Sequence, residues 1–128
     1  MIKLIIDVAN KKIFLMIITN ADVYSITHEN TKINYEKLTM FINDFLLSKN
    51  HKITDITEIY VNLGPGSFAG IRNSLSVVKA FKVAKNIDYY CYNLDKFKGE
   101  QDFSYENIPN LCKKYKIKKN LINTNYIS

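Results

Sequence analysis

The sequence predicts an α/β domain with a five-stranded mixed sheet. Three observations carry this: three short β-branched segments joined by turn residues at the start, apolar repeats at helical spacing afterwards, and a glycine-rich loop between a strand and a helix. With 128 residues, the chain fits one domain that buries about two-thirds of the surface its unfolded form exposes.

Ile2 to Asp7 is a short apolar run ending in an acid, and Ile13 to Thr19 is rich in β-branched residues. Val23 to Glu29 alternates Val23, Ser25 and Thr27 against Tyr24, Ile26 and His28, so all three segments read as strands. Their joints, Asn10-Lys11-Lys12 and Asn20-Ala21-Asp22, are short and turn-like, which predicts an antiparallel meander. Asn34 is expected to cap a first helix with Glu36 in its first turn. Leu38, Phe41, Ile42, Phe45 and Leu46 continue it at helical spacing to about Ser48. Glu58 to Leu63 reads as a strand entering the glycine loop, and Ile71, Leu75, Val78 and Phe81 mark a second helix to about Lys85. Asp88 to Asn93 is the fifth strand. A strand, helix, strand crossover of this kind is right-handed, so strands four and five should run parallel to strand one. Past Leu94 the pattern decays: Lys96 to Asn107 is polar and loop-like, and Ile108 to Tyr115 is read as a short helix after Pro109.

The formal net charge is +6. Five lysines (Lys113, Lys114, Lys116, Lys118 and Lys119) fall between Leu111 and Ser128 with no acid among them, which leaves +1 for everything before. The basic character therefore belongs to the tail. It reads as a solvated segment or as a contact for RNA or an acidic partner. Against the RNA reading, it holds no arginine, and only Tyr115 and Tyr126 could stack on bases. Cys91, in a strand, and Cys112, in the tail, lack metal-ligand or redox spacing and read as free structural thiols of a reducing compartment. No apolar stretch approaches the roughly 20 residues of a membrane span, so a cytoplasmic protein without membrane contact is expected.

The loop Gly64-Pro65-Gly66-Ser67-Phe68-Ala69-Gly70-Ile71-Arg72 holds three of the four glycines and the only arginine of a lysine-rich chain. A lone arginine there points to a planar, multi-donor role that lysine cannot fill. A Gly-Pro-Gly turn opening a helix presents backbone N–H groups at the positive end of the helix dipole, which suits an anion. In that reading Gly66 and Gly70 permit close backbone approach, Ser67 donates a hydroxyl, and Arg72 grips a carboxylate or phosphate. The same residues also read as an ordinary turn followed by a capping serine. Asp7, at a strand's carboxyl end, either coordinates Mg²⁺ or hydrogen-bonds its own turn.

The order of these elements, with the loop, resembles the TsaB (YeaZ) family, glycoprotease-like (Gcp-like) partner proteins of tRNA threonylcarbamoyladenosine synthesis. That family's motif is similar to Gly-Pro-Gly-Ser-Phe-Thr-Gly followed by a small apolar residue and Arg. Gly64 to Arg72 matches it with Ala69 in place of Thr. The resemblance extends from Ile2 to about Phe97, and the final Asn125-Tyr126-Ile127 resembles the short extended segment that closes family members. It implies an actin-like ATPase (ASKHA), ribonuclease H-like domain over residues 1–97, with 98–128 as a basic remnant of a second domain. The family's opening Asp-Thr-Ser or Asp-Thr-Ala stands here as Asp7-Val8-Ala9, without the hydroxyl that would face a phosphate. In that superfamily nucleotide lies between two domains, and one half is not expected to close around ATP.

Metal-dependent paralogues hold iron or zinc through paired histidines, whereas this chain has only His28, read as a strand-surface residue, and His51, read as solvent-exposed. Neither Ser67 nor Ser74 has a histidine at any argued proximity, so no catalytic residue is assigned. Tyr35, Phe41, Val77 and Phe81 lie on the flanks of the two helices and read either as a partner interface or as completion of the core. The resemblance implies the former, with a TsaD-like enzyme or a second copy as partner and a TsaE-like ATPase in the wider complex. The expected function is that of a non-catalytic assembly subunit for threonylcarbamoyl transfer to the adenosine beside the tRNA anticodon, with no cofactor and no metal. The alternative is a phosphate- or nucleotide-binding half-site, using ATP and Mg²⁺, completed by another chain.

Overall fold

The computed structural model describes residues 1–101 and 103–122. Three antiparallel strands open it, β1 (Ile2–Asp7), β2 (Lys12–Ile18) and β3 (Val23–Glu29), followed by β4 (Ile56–Asn62) and β5 (Asp88–Tyr92). Their order in the sheet is β3-β2-β1-β4-β5. The meander registers Asp7 opposite Phe14 and Ile18 opposite Val23. β4 lies parallel to both β1 and β5. The expected five-stranded mixed sheet is thus observed, with β4 in the interior of the sheet.

β1 is central and covered on both faces, which is why Leu4, Ile5 and Ile6 follow one another as an unbroken apolar run and not an alternation. On one face Leu4, Ile6, Leu15, Ile59 and Val61 pack beneath two helices, α2 (Leu38–Ser48) and α3 (Phe68–Lys85). These helices contribute Ile42 and Leu46, and Leu75 and Val78. On the other face Ile5, Met16, Tyr60 and Tyr92 are covered by Phe97, Ile108, Leu111 and Cys112. The covering segment is a pair of short turns followed by α4 (Ile108–Lys114), with Pro109 in its first turn, where a missing N–H costs nothing.

That second layer corrects the reading of the lysine-rich segment as a solvated tail. Its lysines do face water, but Leu111 and Cys112 are buried, Lys114 pairs with Glu100 at 2.8 Å, and Lys119 approaches Asp88 at 3.7 Å. The spacing of the apolar residues follows short turns instead of one helical period, so it escapes a search for periodicity. Beyond α4, Asn120 clamps the outer edge of β5. Its amide N donates to the Tyr89 carbonyl at 2.7 Å, its Oδ1 accepts from Tyr89 N at 3.0 Å, and its Nδ2 donates to Asp88 at 2.9 Å.

The first helix also differs from expectation. Thr31, not Asn34, is the cap: its hydroxyl accepts from Asn34 N, and a short helix α1 (Lys32–Glu36) precedes α2, with the break at Lys37. Asn34 instead donates to the carbonyl of Glu29 at 2.8 Å, tying α1 to the end of β3. β4 begins at Ile56, earlier than expected, because parallel pairing with β1 starts from Ile2 opposite Ile56. No helix among the described residues is long and apolar enough to cross a membrane.

Candidate functional site

The glycine loop is built from β4 outward. Asn62, buried at the strand's end, accepts from Gly64 N at 2.8 Å and bends the chain back. Gly64 takes φ +123°, a conformation that favours glycine. Ser67 then caps α3 by accepting from Gly70 N at 3.1 Å, and its hydroxyl also meets the Tyr35 hydroxyl at 3.1 Å. The loop does not stand open. Ser67 N donates to the carbonyl of Ala9 at 2.8 Å, so it lies directly against the turn after β1.

That seating accounts for two of the glycines. A Cβ on Gly66 would fall 2.2 Å from the Ala9 carbonyl oxygen, and one on Gly70 would fall 2.1 Å from that of Val8. The close backbone approach that the sequence suggested is real, but what approaches is the chain itself. The amides of Gly64, Ser67 and Gly70 are all engaged internally.

Asp7 is fully buried, and its carboxylate makes three hydrogen bonds: from Ala9 N at 3.0 Å, from Asn10 Nδ2 at 3.1 Å and from the Tyr105 hydroxyl at 2.7 Å. Burial first, and Asp7 second, push the Tyr105 phenol well above its ordinary range, so it stays protonated and donates. Asp7, Asn62 and Tyr92 end the three parallel strands, where open α/β sheets commonly bind ligands. Sequence reasoning found only the first. The amide nitrogen of Asn62 and the hydroxyl of Tyr92 are buried with no hydrogen-bond partner among the described residues. A cleft of about 530 Å³ opens beside Tyr92, lined by Leu63, Asn93, Lys96, Lys116 and Leu121 among others, and no residue of the Gly64 to Arg72 loop reaches it.

Arg72 is exposed one turn into α3. Its guanidinium lies 5.7 Å from the centre of the Phe68 ring, a cation–π distance, and it makes no ion pair among the described residues. The loop is closed by its own amides and by Asn62. The named interface residues are half-buried. Tyr35, Phe41, Val77 and Phe81 all pack against the helix-side core, and Phe41 stacks on His28 with ring centres 3.8 Å apart. The more exposed apolar side chains on these helices are Ile33, Met40, Leu47, Phe68 and Val83, the last 89% exposed. Helical spacing could have found Val83, which shares a face with Phe68 and Arg72. Asn73 Nδ2 donates to the Tyr35 carbonyl at 2.9 Å and joins α1 to α3. His28 stays on the outer strand, and His51 is partly covered. Among the described residues no group of three or more His, Cys, Asp or Glu could hold a metal ion. Burial pushes the thiols of Cys91 and Cys112 up to about 12, so both are protonated at neutral pH.

No protein-family model matches the chain, and no curated protein matches it. Solved structures do. YeaZ from Pseudomonas aeruginosa superposes with a TM-score of 0.66 and 17% identity over 72% of this chain. The chain has a YeaZ-like fold. A second structure, described as an uncharacterized protein with similarity to peptidase YeaZ from Pseudomonas aeruginosa, gives a TM-score of 0.67 at 17% identity over 78% of this chain. RuvC of T. thermophilus, solved with a Holliday junction substrate, gives 0.53 at 11% identity, covering 77% of this chain and 68% of RuvC. The chain spans 43% and 49% of the two YeaZ-type structures, and at these identities the likeness is one of fold. Asn125-Tyr126-Ile127, compared above with the segment that closes YeaZ relatives, lies outside the described residues.

Proposed function

We propose that this chain is a non-catalytic assembly subunit of the TsaB (YeaZ) type, acting in the cytoplasm. In this reading it pairs with a TsaD-like enzyme and supports threonylcarbamoyl transfer to the adenosine beside the tRNA anticodon. The observation that carries it is the state of the Gly64 to Arg72 loop. The loop keeps the family-like residues on a YeaZ-like sheet, yet it spends the amides of Ser67 and Gly70 on the chain itself. A loop so used is a scaffold joint. Asp7, bonded to Ala9, Asn10 and Tyr105, supports the same reading, because each bond occupies a lone pair that a ligand would need.

The partner surface in this proposal is the flank of α1, α2 and α3, with Tyr35, Phe41, Val77 and Phe81 at its base and the exposed Arg72 at its rim. Half-buried aromatic and aliphatic groups beside an arginine suit an interface centre, since they lose little freedom on binding. Without the enzyme, a second copy covers the same surface. A TsaE-like ATPase would join the wider complex, and this chain holds no cofactor of its own.

Reconstitution tests the proposal. Transfer to tRNA by the TsaD-like enzyme of the same organism should depend on adding this chain, and the chain alone should show no heat on titration with ATP and Mg²⁺. Micromolar ATP binding by the isolated chain, with no effect on transfer, would overturn it in favour of a nucleotide-binding half-site.

A further inference from the structure

The two edges of the sheet are treated differently. β5 is covered by Asn120, which bonds both the amide and the carbonyl of Tyr89. β3, at the other edge, pairs with β2 over seven residues without a bulge, and among the described residues no strand lies beyond it. Natural sheets commonly blunt such an edge with lysine, proline or a bulge. Val23-Tyr-Ser-Ile-Thr-His-Glu29 has none of these, and its single formal charge, Glu29, sits at the very end.

We infer that β3 pairs antiparallel with β3 of a second copy, joining two sheets into one around a twofold axis at Ile26. The direction of the backbone groups favours this. Thr19 N donates to the Asp22 carbonyl at the β2–β3 turn. From there bonded and non-bonded pairs alternate, so Tyr24, Ile26 and His28 direct their amides and carbonyls at β2, while Val23, Ser25, Thr27 and Glu29 direct theirs outward. A twofold at Ile26 sets Ser25 opposite the second copy's Thr27, two residues whose backbone groups both point outward. Glu29 then faces Val23; its N–H is free to pair, while its carbonyl already accepts from Thr31 N at 3.1 Å and Asn34 Nδ2 at 2.8 Å. The pairing supplies about six inter-chain backbone bonds.

The side chains match in the same register. Ile26, 37% exposed, meets its own copy, Ser25 and Thr27 pair hydroxyl to hydroxyl, and Tyr24 faces His28. Both aromatic rings are already positioned from α2 and the residue that caps it, Tyr24 under the Lys49 ammonium at 4.7 Å and His28 stacked on Phe41. A strand that is its own complement selects a second copy over an unrelated peptide. This edge adjoins the proposed partner flank at Phe41, which stacks on His28, but its backbone groups lie apart from Val77 and Phe81 of α3, so the inference goes beyond the proposed function and is tested by different amides.

Backbone amide exchange, read by NMR across a concentration series, tests it on the intact chain. The amides of Ser25 and Thr27 should gain at least tenfold protection as concentration rises, while those of Tyr24, Ile26 and His28, already bonded to β2, should not change. Thr27→Pro removes one outward N–H and leaves the β2 ladder whole; it should abolish the concentration dependence and sediment as a monomer more readily than wild type. Ile26→Lys, which sets two ammonium groups face to face, is the second variant and should weaken association most at low salt. Ser25 and Thr27 amides that exchange freely at every concentration would overturn the inference, as would Thr27→Pro associating like wild type. Association through the helical flank would protect neither amide, so the two surfaces are told apart.

Discussion

The amide of Ser67 donates to the carbonyl of Ala9 at 2.8 Å, and that bond fastens the loop after β4 to the turn after β1. Glycines 66 and 70 exist to let the two backbones meet. Gly70→Ala puts a methyl group 2.1 Å from the Val8 carbonyl oxygen, a distance that forces the loop away from the turn. The expected cost is about 3 kcal/mol, the upper end for overpacking. Urea denaturation measures it, and a loss below about 0.5 kcal/mol, the scatter of neutral surface changes, would show that the joint is slack.

Tyr105→Phe tests the joint from the other face. It deletes the 2.7 Å bond to Asp7 and leaves the buried carboxyl, among the described residues, with donors from Ala9 and Asn10. A lost bond to a charged group predicts a destabilisation of about 1.5–3 kcal/mol. Equal denaturation midpoints for the variant and wild type would mean that the phenol is not what satisfies Asp7.

The topology was legible because it rests on local signals: two short turns fix the meander, and two helix-length crossovers fix the parallel strands. The glycine loop was legible as a motif but not as a contact, since the carbonyls of Val8 and Ala9 that explain Gly66 and Gly70 lie on another strand's turn. The Tyr105 to Asp7 bond spans a separation of 98 residues, and no spacing rule reaches that far. Asn120 escaped for a related reason: a single asparagine among lysines gives no sign that it will cap a sheet edge. Tyr35, Phe41, Val77 and Phe81 are partly buried against the helix-side core, and helical spacing alone does not divide their surface between core and solvent.

Acid should release the Asn120 clamp before the core. The Asn120 amide, then Lys82, hold the Asp88 carboxyl down at about 2 against an ordinary value of 3.8. A depressed carboxyl contributes stability that is complete above its unfolded value and lost as pH falls toward its folded one. The Tyr89 and Asn120 amides should therefore lose exchange protection between pH 3.8 and about 2. Asp88→Asn should remove that step, and the same acid profile in the variant would assign the release to another group.

Arg72→Lys separates partner binding from stability. Among the described residues the guanidinium lies 5.7 Å from the centre of the Phe68 ring and makes no ion pair, and Arg72 is exposed, so the melting midpoint should move by no more than about 0.5 kcal/mol allows. Affinity for the TsaD-like enzyme should fall about tenfold, or about 1.4 kcal/mol, because lysine cannot reproduce a planar fork. A variant that melts early but binds normally would place the arginine's role inside the loop.

Whether the helical flank receives a TsaD-like enzyme is measured by titration calorimetry of that enzyme with the folded chain. Saturable one-to-one binding is expected, weakened at least tenfold by Val77→Glu in a variant that keeps its circular dichroism. Wild-type chain that is folded and gives no binding heat at any temperature tried, with the two proteins sedimenting separately, would contradict it.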